Sequence, residues 1–277
     1  MADLHIEEYG SGEPAVFVHG SGSWGVDTFS AQRTLADEFR VLLVDRCGYG
    51  QSPAAGPIGW PTDRTKVADL LTELGRAHLV GHSTGGTVAL LAAADVPHAV
   101  RSLTVIEPSV WGIANPADSP PECAAGDKEV WRRGPDLTAE EFLIALFTLA
   151  GVPDAPEMVG TWTAKFSDAD WAGADAQRHE AWPGDARIDV GALAESPFPK
   201  SVVIGAWDPA VHPALAAIAA SRRRQAVEAE HRAVAQRIKA RLVTFSQSAH
   251  NPMSEEPDAF NALLRDTWRH ARDEPGG

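Results

Sequence analysis

A serine set among glycines in LVGHSTGGTVAL, residues 79–90, is the feature of this chain best suited to covalent chemistry. The pattern is Gly81-x-Ser83-x-Gly85, entered from an apolar run and left through an Ala/Leu-rich one. A serine on a sharp strand-to-helix turn is held in a strained conformation, and small neighbours let strand and helix approach. The helix that follows points free N–H donors and positive partial charge at the serine oxygen, which suits a developing oxyanion. The hydroxyl is a weak nucleophile until a base takes its proton, so the rest of the chain must supply a histidine and an acid to hold it.

The chain has ten histidines, and context selects among them. His250, in FSQSAHNP, follows the last apolar run and falls in a loop at the sheet edge that also presents Ser83; it is the expected base, with Pro252 stiffening the loop. His212 is the rival. His19 reads as a turn-organising residue, and His82 adjoins the serine but projects away from it. His5, His78, His98, His179, His231 and His270 read as surface or helix-face residues. For the acid, Asp208 ends VVIGAWD directly after a strand and gives the order Ser, Asp, His. Glu107, in TVIEP at the end of the preceding strand, is the alternative. Two backbone N–H groups should receive the oxyanion. Thr84 supplies one, and the loop HGSGSWG (19–25) supplies the other, from Ser21 or Gly22, with Trp24 beside the substrate. That loop has neither GxGxxG opening a helix nor GxxxxGK[ST], so it does not read as a phosphate cradle.

These residues need a scaffold. Short continuous apolar runs at 15–20, 41–45, 77–82, 102–108, 201–208 and 241–246 read as strands buried on both faces, as in a parallel sheet. Between them lie helical stretches at 62–74, 87–95, 213–241 and 257–273. The alternation argues a mostly parallel central sheet with helices on both faces, an α/β class. Residues 109–197 hold no convincing strand; TAEEFLIALFTLAG (138–151) opens on a capping box, Thr138 with Glu141, and 168–182 is a second helix. We therefore expect a core of 1–108 and 198–277, with an all-helical cap inserted at 109–197.

In VFVHGSG, VLLVDRCGYGQS, LVGHSTGG, VIGAWD and SAHNP, order and spacing along nearly the whole chain resemble the α/β-hydrolase fold superfamily, of the type with a helical cap. The resemblance implies a Ser–His–acid triad of Ser83, His250 and Asp208, with Glu107 standing where some members carry their acid, and it implies no cofactor. It leaves the reaction open among ester and lactone hydrolysis, thioesterase, C–C bond hydrolase and perhydrolase chemistry, or ligand binding without catalysis.

Composition narrows the rest. A net charge of -14 and a pI near 5.1 disfavour nucleic acid and anionic membrane surfaces. Two cysteines without metal-ligand spacing suit a reducing compartment, and the first residues show no signal peptide, so a cytoplasmic location is expected. No HExxH or CxxC spacing calls for a metal. The basic run SRRRQ (221–225) reads as a solvated helix face. Trp111, Trp131, Trp162, Trp171 and Trp182 fall in the helical segment and Trp207 beside the expected acid, which points to a small apolar ester or lactone as substrate.

Overall fold

A computed structural model describes residues 4–54 and 56–273; the outermost limits expected for the core, residues 1 and 277, fall outside the described residues. Seven strands form one sheet in the order β1-β3-β2-β4-β5-β6-β7. The six continuous apolar runs are its parallel members: β2 (Glu13–Val18), β3 (Phe39–Val44), β4 (Ala77–His82), β5 (Val100–Ile106), β6 (Lys200–Gly205) and β7 (Arg241–Phe245). The first strand, β1 (Ile6–Tyr9), pairs antiparallel with β3, Ile6 opposite Val44. It escaped the sequence reading because IEEY is short, sits at an edge and carries two adjacent glutamates.

Successive strand side chains point to opposite faces, so each strand feeds two cores. Val16, Val18, Leu42 and Val44 pack on one side with α2 (Trp60–Leu74), α3 (Thr84–Asp95) and α10 (Arg222–Arg237). Ala15, Phe17, Val41 and Leu43 pack on the other with α1 (Gly25–Phe29), α11 (Pro252–Glu255) and α12 (Pro257–Asp273), whose Phe260, Leu263, Leu264 and Trp268 recur at helical spacing. His78, expected at the surface, is buried between these layers, bonded to Ser102 Oγ at 2.8 Å and stacked on Trp268.

Between β5 and β6 the described chain is helical only: α4 (Pro121–Arg133), α5 (Ala139–Leu149), α6 (Ala155–Thr163), α7 (Asp168–Gln177) and α8 (Val190–Glu195). Thr138 and Glu141 make the expected capping box. The helix expected to reach residue 182 stops at Gln177, after which Ala181 N–H donates to the Ile58 carbonyl at 3.0 Å. Leu143, Val159 and Ala174 give this segment a small core of its own.

The single helix expected over 213–241 is two. After α9 (Ala216–Ala220) the backbone of Ser221 extends, and its hydroxyl accepts the Arg224 N–H at 3.0 Å to start α10. The break starts a new helix at Arg222 and puts Arg224 in its first turn.

Candidate active site

Strand β4 delivers Ser83 to the first turn of α3 at φ 53° and ψ -120°, a conformation that L residues adopt at a cost. Its N–H donates to the Ile106 carbonyl at 2.9 Å, which pins the turn to the end of β5. The flanking glycines are steric necessities. A Cβ on Gly81 would overlap the Gly85 carbonyl, and one on Gly85 would overlap the Val18 and His19 carbonyls. Ser83 Oγ lies 3.2 Å from Ser109 Oγ, a neighbour the sequence did not suggest.

His250 sits in the loop between β7 and α11. Glutamates at the start of α12 and the end of α11 shape that loop: Glu256 accepts Gln247 N–H at 2.9 Å and Ser248 Oγ–H at 2.6 Å, and Glu255 accepts Ala249 N–H at 2.7 Å. His82 supports it from below, with Nε2–H donating to the His250 carbonyl at 3.0 Å and the two rings 4.7 Å apart. His212, the rival base, instead bonds the Gln247 carbonyl at 3.0 Å. The organising role expected of His19 is visible: Nε2 accepts Arg46 N–H at 2.9 Å and Nδ1–H donates to the Gly20 carbonyl at 2.6 Å.

Asp208 does not stand where the sequence placed it. Its carboxylate is exposed and accepts the Ala210 N–H at 2.8 Å, capping its own loop. Among the described residues the carboxylate near the imidazole is Glu107, with Oε2 3.7 Å from His250 Nδ1. Glu107 is buried, at φ 43°, in a full cage of donors. Gly205 N–H reaches Oε1 at 3.0 Å, Trp207 Nε1–H at 3.3 Å, and Arg224 clasps both oxygens at 2.7 and 3.0 Å. Burial alone would raise this carboxyl, but the His250 contact and the charges of His231 and Arg224 outweigh it and hold it well below the usual range.

Arg224 and His231 lie seven residues apart on one face of α10 and both approach Glu107. The expectation of a solvated basic run and a surface His231 is therefore corrected. Arg224 is buried, Arg223 clasps Asp127 at 2.7 and 2.9 Å, and His231 is buried with Nε2–H on the Pro108 carbonyl at 3.0 Å. The seven-residue spacing was the available signal; the run of like charge concealed it.

On the opposite side of Ser83, Ser21 follows β2 and Thr84 opens α3. Ser21 Oγ donates to Glu180 and stands 2.8 Å from Thr84 Oγ1, so the two expected oxyanion residues are joined through their hydroxyls. Glu180 belongs to the chain after α7, and its other oxygen accepts Arg46 Nη2–H at 2.6 Å. Arg46, also buried, donates to the Gly20 carbonyl at 3.0 Å and to Asp63 at 3.0 Å. The sequence reading missed this tie, whose members lie up to 159 positions apart. Gly22 lines the polar cavity described below at φ +75°. Trp24 does not line the site; it is the residue before α1 and lies outside both cavity walls.

Two cavities of about 340 and 460 Å3 share Ser21, Ser83, Leu143, Trp162, Gln177 and His250. The walls of the smaller include Trp111, Trp131, Trp162, Trp182 and Trp207, whereas Trp171 packs inside the helical segment.

Three buried imidazoles couple the site to stability. Burial pushes His82 down to about 3 and His231 down to about 4, and carries His19 well below its ordinary value. The unfolded chain takes up these protons near pH 6.5, so stability is full above that pH and falls below it. His82 and His231 each contribute about 1.4 kcal/mol per pH unit until the folded pKa is passed. The depressed Glu107 carboxyl acts in the same direction, its stabilisation being present above the unfolded carboxylate pKa and lost further down. We expect the urea midpoint to hold between pH 8 and 7 and to drop steeply between pH 6 and 5; a flat midpoint down to pH 5 would show these rings to be accessible.

The chain is similar to known proteins. A pimeloyl-[acyl-carrier protein] methyl ester esterase of Aeromonas hydrophila is 36% identical over 108 residues, 38% of this chain and 42% of that protein. The 2-hydroxy-6-oxo-2,4-heptadienoate hydrolase of Pseudomonas putida is 36% identical over 113 residues, 38% of this chain and 40% of that protein. The chain thus spans about two fifths of the length of these curated relatives. Among solved structures, an alpha/beta hydrolase from Sphaerobacter thermophilus aligns over 96% of each chain at 25% identity and TM-score 0.68. A thermophilic esterase from Thermogutta terrifontis shares the fold over 97% of this chain and 93% of its own, at 24% identity and TM-score 0.65. Residues 15–263 match the model of the Alpha/beta hydrolase family, and the chain belongs to that family.

Proposed function

We propose that this chain is a serine hydrolase of carboxylic esters or lactones with an apolar acyl part, and that residues 109–197 act as a cap over its site. The observation that carries the reading is the convergence, on one cavity wall, of a strained Ser83 at a helix N-terminus and a His250 whose Nδ1 faces a buried carboxylate. His250 takes the Ser83 proton at Nε2 as Oγ attacks the substrate carbonyl. Thr84, the first residue of α3, has an N–H without an intrahelical acceptor, and with Ser21 N–H it receives the oxyanion. The imidazolium then protonates the leaving oxygen, and water activated by the same ring releases the acid. Glu107 fixes the ring with Nδ1–H directed at it; the 3.7 Å separation is one that tightens when the cation forms. Arg224 keeps Glu107 ionised and in place, so it orients the ring without taking its proton.

An active serine reacts with a fluorophosphonate, and an idle one does not. We expect stoichiometric labelling mapped to Ser83 by peptide mass, with loss of p-nitrophenyl ester hydrolysis in proportion. An unlabelled protein, or one labelled elsewhere, would refute the reading.

A further inference from the structure

The two cavities meeting at Ser83 differ in the residues that each adds to their shared wall. The smaller is walled by indoles and Phe147. The larger shares Leu143 and Trp162 with it and adds Phe166 and Met253, but it alone carries Ser23, Asp27, Thr28, Asp170, Asn251 and Ser254, and no lysine or arginine lines it among the described residues. The arginines on the aromatic side are already committed, Arg223 to Asp127 and Arg224 to Glu107. Their charges leave that lobe a place for an uncharged apolar group.

The geometry points to a division of the substrate: the aromatic lobe takes the acyl group and the polar lobe takes the leaving alcohol, so the substrates are esters of arylalkanoic or similarly bulky apolar acids with uncharged, hydroxyl-bearing alcohols. This rests on the hydrolase reading above. His250 turns its Nδ1 edge to Glu107, a wall of the aromatic lobe. The opposite edge carries Nε2, the atom that protonates the leaving oxygen. The residues that follow the imidazole, Asn251 and Ser254, line the polar lobe alone. Thr84, whose N–H holds the oxyanion, lines the aromatic lobe alone. A carbonyl bound there extends its acyl chain among the indoles and its alcohol past His250.

The polar lobe also selects by charge. Asp27 accepts Ser23 Oγ–H at 2.8 Å and Asp170 accepts Ser167 Oγ–H at 2.6 Å, and among the described residues neither has an ion-pair partner that would spare an anionic alcohol. A carboxylate or phosphate on the leaving group meets like charge in a protein already at -14.

Two isomeric esters test the division. 2-Hydroxyethyl phenylacetate has the aromatic group on the acyl side, and 2-phenylethyl hydroxyacetate has it on the alcohol side. With each kcat/KM divided by the rate of hydroxide-catalysed hydrolysis, the first is expected to exceed the second by about tenfold or more, the usual discrimination of an apolar pocket. Equal or reversed values overturn the assignment. Carboxymethyl phenylacetate, with an anionic leaving group, is expected to fall about tenfold below the hydroxyethyl ester, again after normalisation. Asp27→Asn, a change at an exposed side chain, should narrow that gap; an unchanged gap overturns the charge selection. Failure of the hydrolase reading has a different signature: no fluorophosphonate label and no turnover of any of the three esters.

Discussion

Ser83→Ala is expected to lower kcat for an activated ester by about 10⁴- to 10⁶-fold while leaving KM within a few-fold. The substitution removes one oxygen at a position whose backbone is already strained, so the turn gains nothing that would move the oxyanion donors. What remains should be the rate given by Thr84 and Ser21 N–H and by substrate binding, on the order of 10³-fold over water. Fluorophosphonate labelling should vanish in the same variant. The measurement is a progress curve with p-nitrophenyl phenylacetate at high enzyme concentration. Wild-type turnover in the variant would remove Ser83 from the chemistry, and Ser109, 3.2 Å away, would be the next hydroxyl to test.

Replacing the acid should be nearly as severe, and it separates two carboxylates. Glu107→Gln is expected to cost about 10³- to 10⁴-fold in kcat, because an amide at this point no longer stabilises the imidazolium and can bind the wrong tautomer. The same change leaves Arg224 buried against a neutral group, so some loss of stability, on the order of 3–5 kcal/mol for a broken buried pair, should accompany it. Asp208→Asn disturbs no buried group and should keep activity within about twofold, as exposed substitutions usually do. That arm decides the matter even if the Glu107 variant folds poorly. A thousandfold loss in Asp208→Asn would mean that the loop after β6 rearranges to deliver the acid.

The core of the fold was readable because burial on both faces favours apolar residues along a strand. The six parallel strands therefore appear as short, mostly apolar runs, with His78, Ser102 and Thr104 as buried exceptions. Ser83 and His250 were readable for a related reason: a glycine forced by a carbonyl within contact distance, and a histidine in the loop after the last strand, are marks of position as much as of chemistry. The choice of acid was not. Glu107 and Asp208 both close a strand, and which of them meets the imidazole depends on the positive φ at Glu107 and on the turn that sends Asp208 to its own backbone. Arg224 was hidden by its neighbours, since three arginines in a row near Glu228 and Glu230 look like a wetted surface. Its burial follows from the helix break at Ser221, which sets the phase of α10. Glu180 leaves no local mark, and Arg46 shows only as part of VLLVDRCGYGQS, with nothing there to pair it with Glu180. A buried ion pair between residues 134 apart is a property of the folded chain, and only the cost of burying either charge alone fixes their meeting.

On the proposal that residues 109–197 cap the site, the tie through Glu180 bears on how a substrate would get in. Residues 180–182 are fastened to the core three ways: Glu180 to Arg46 and Ser21, Ala181 N–H to the Ile58 carbonyl, and the Trp182 carbonyl to Trp60 Nε1–H. A corner held like this behaves as the hinge pin of a door. Any swing that widens the entrance must turn about it and move the opposite leaf, where α5 and α6 pack on each other and Trp162 stands 47% exposed. Ser21, bonded to Glu180, and Thr84, bonded to Ser21, lie beside the pin, so on the proposed reading the oxyanion donors would keep their places as the cap moves.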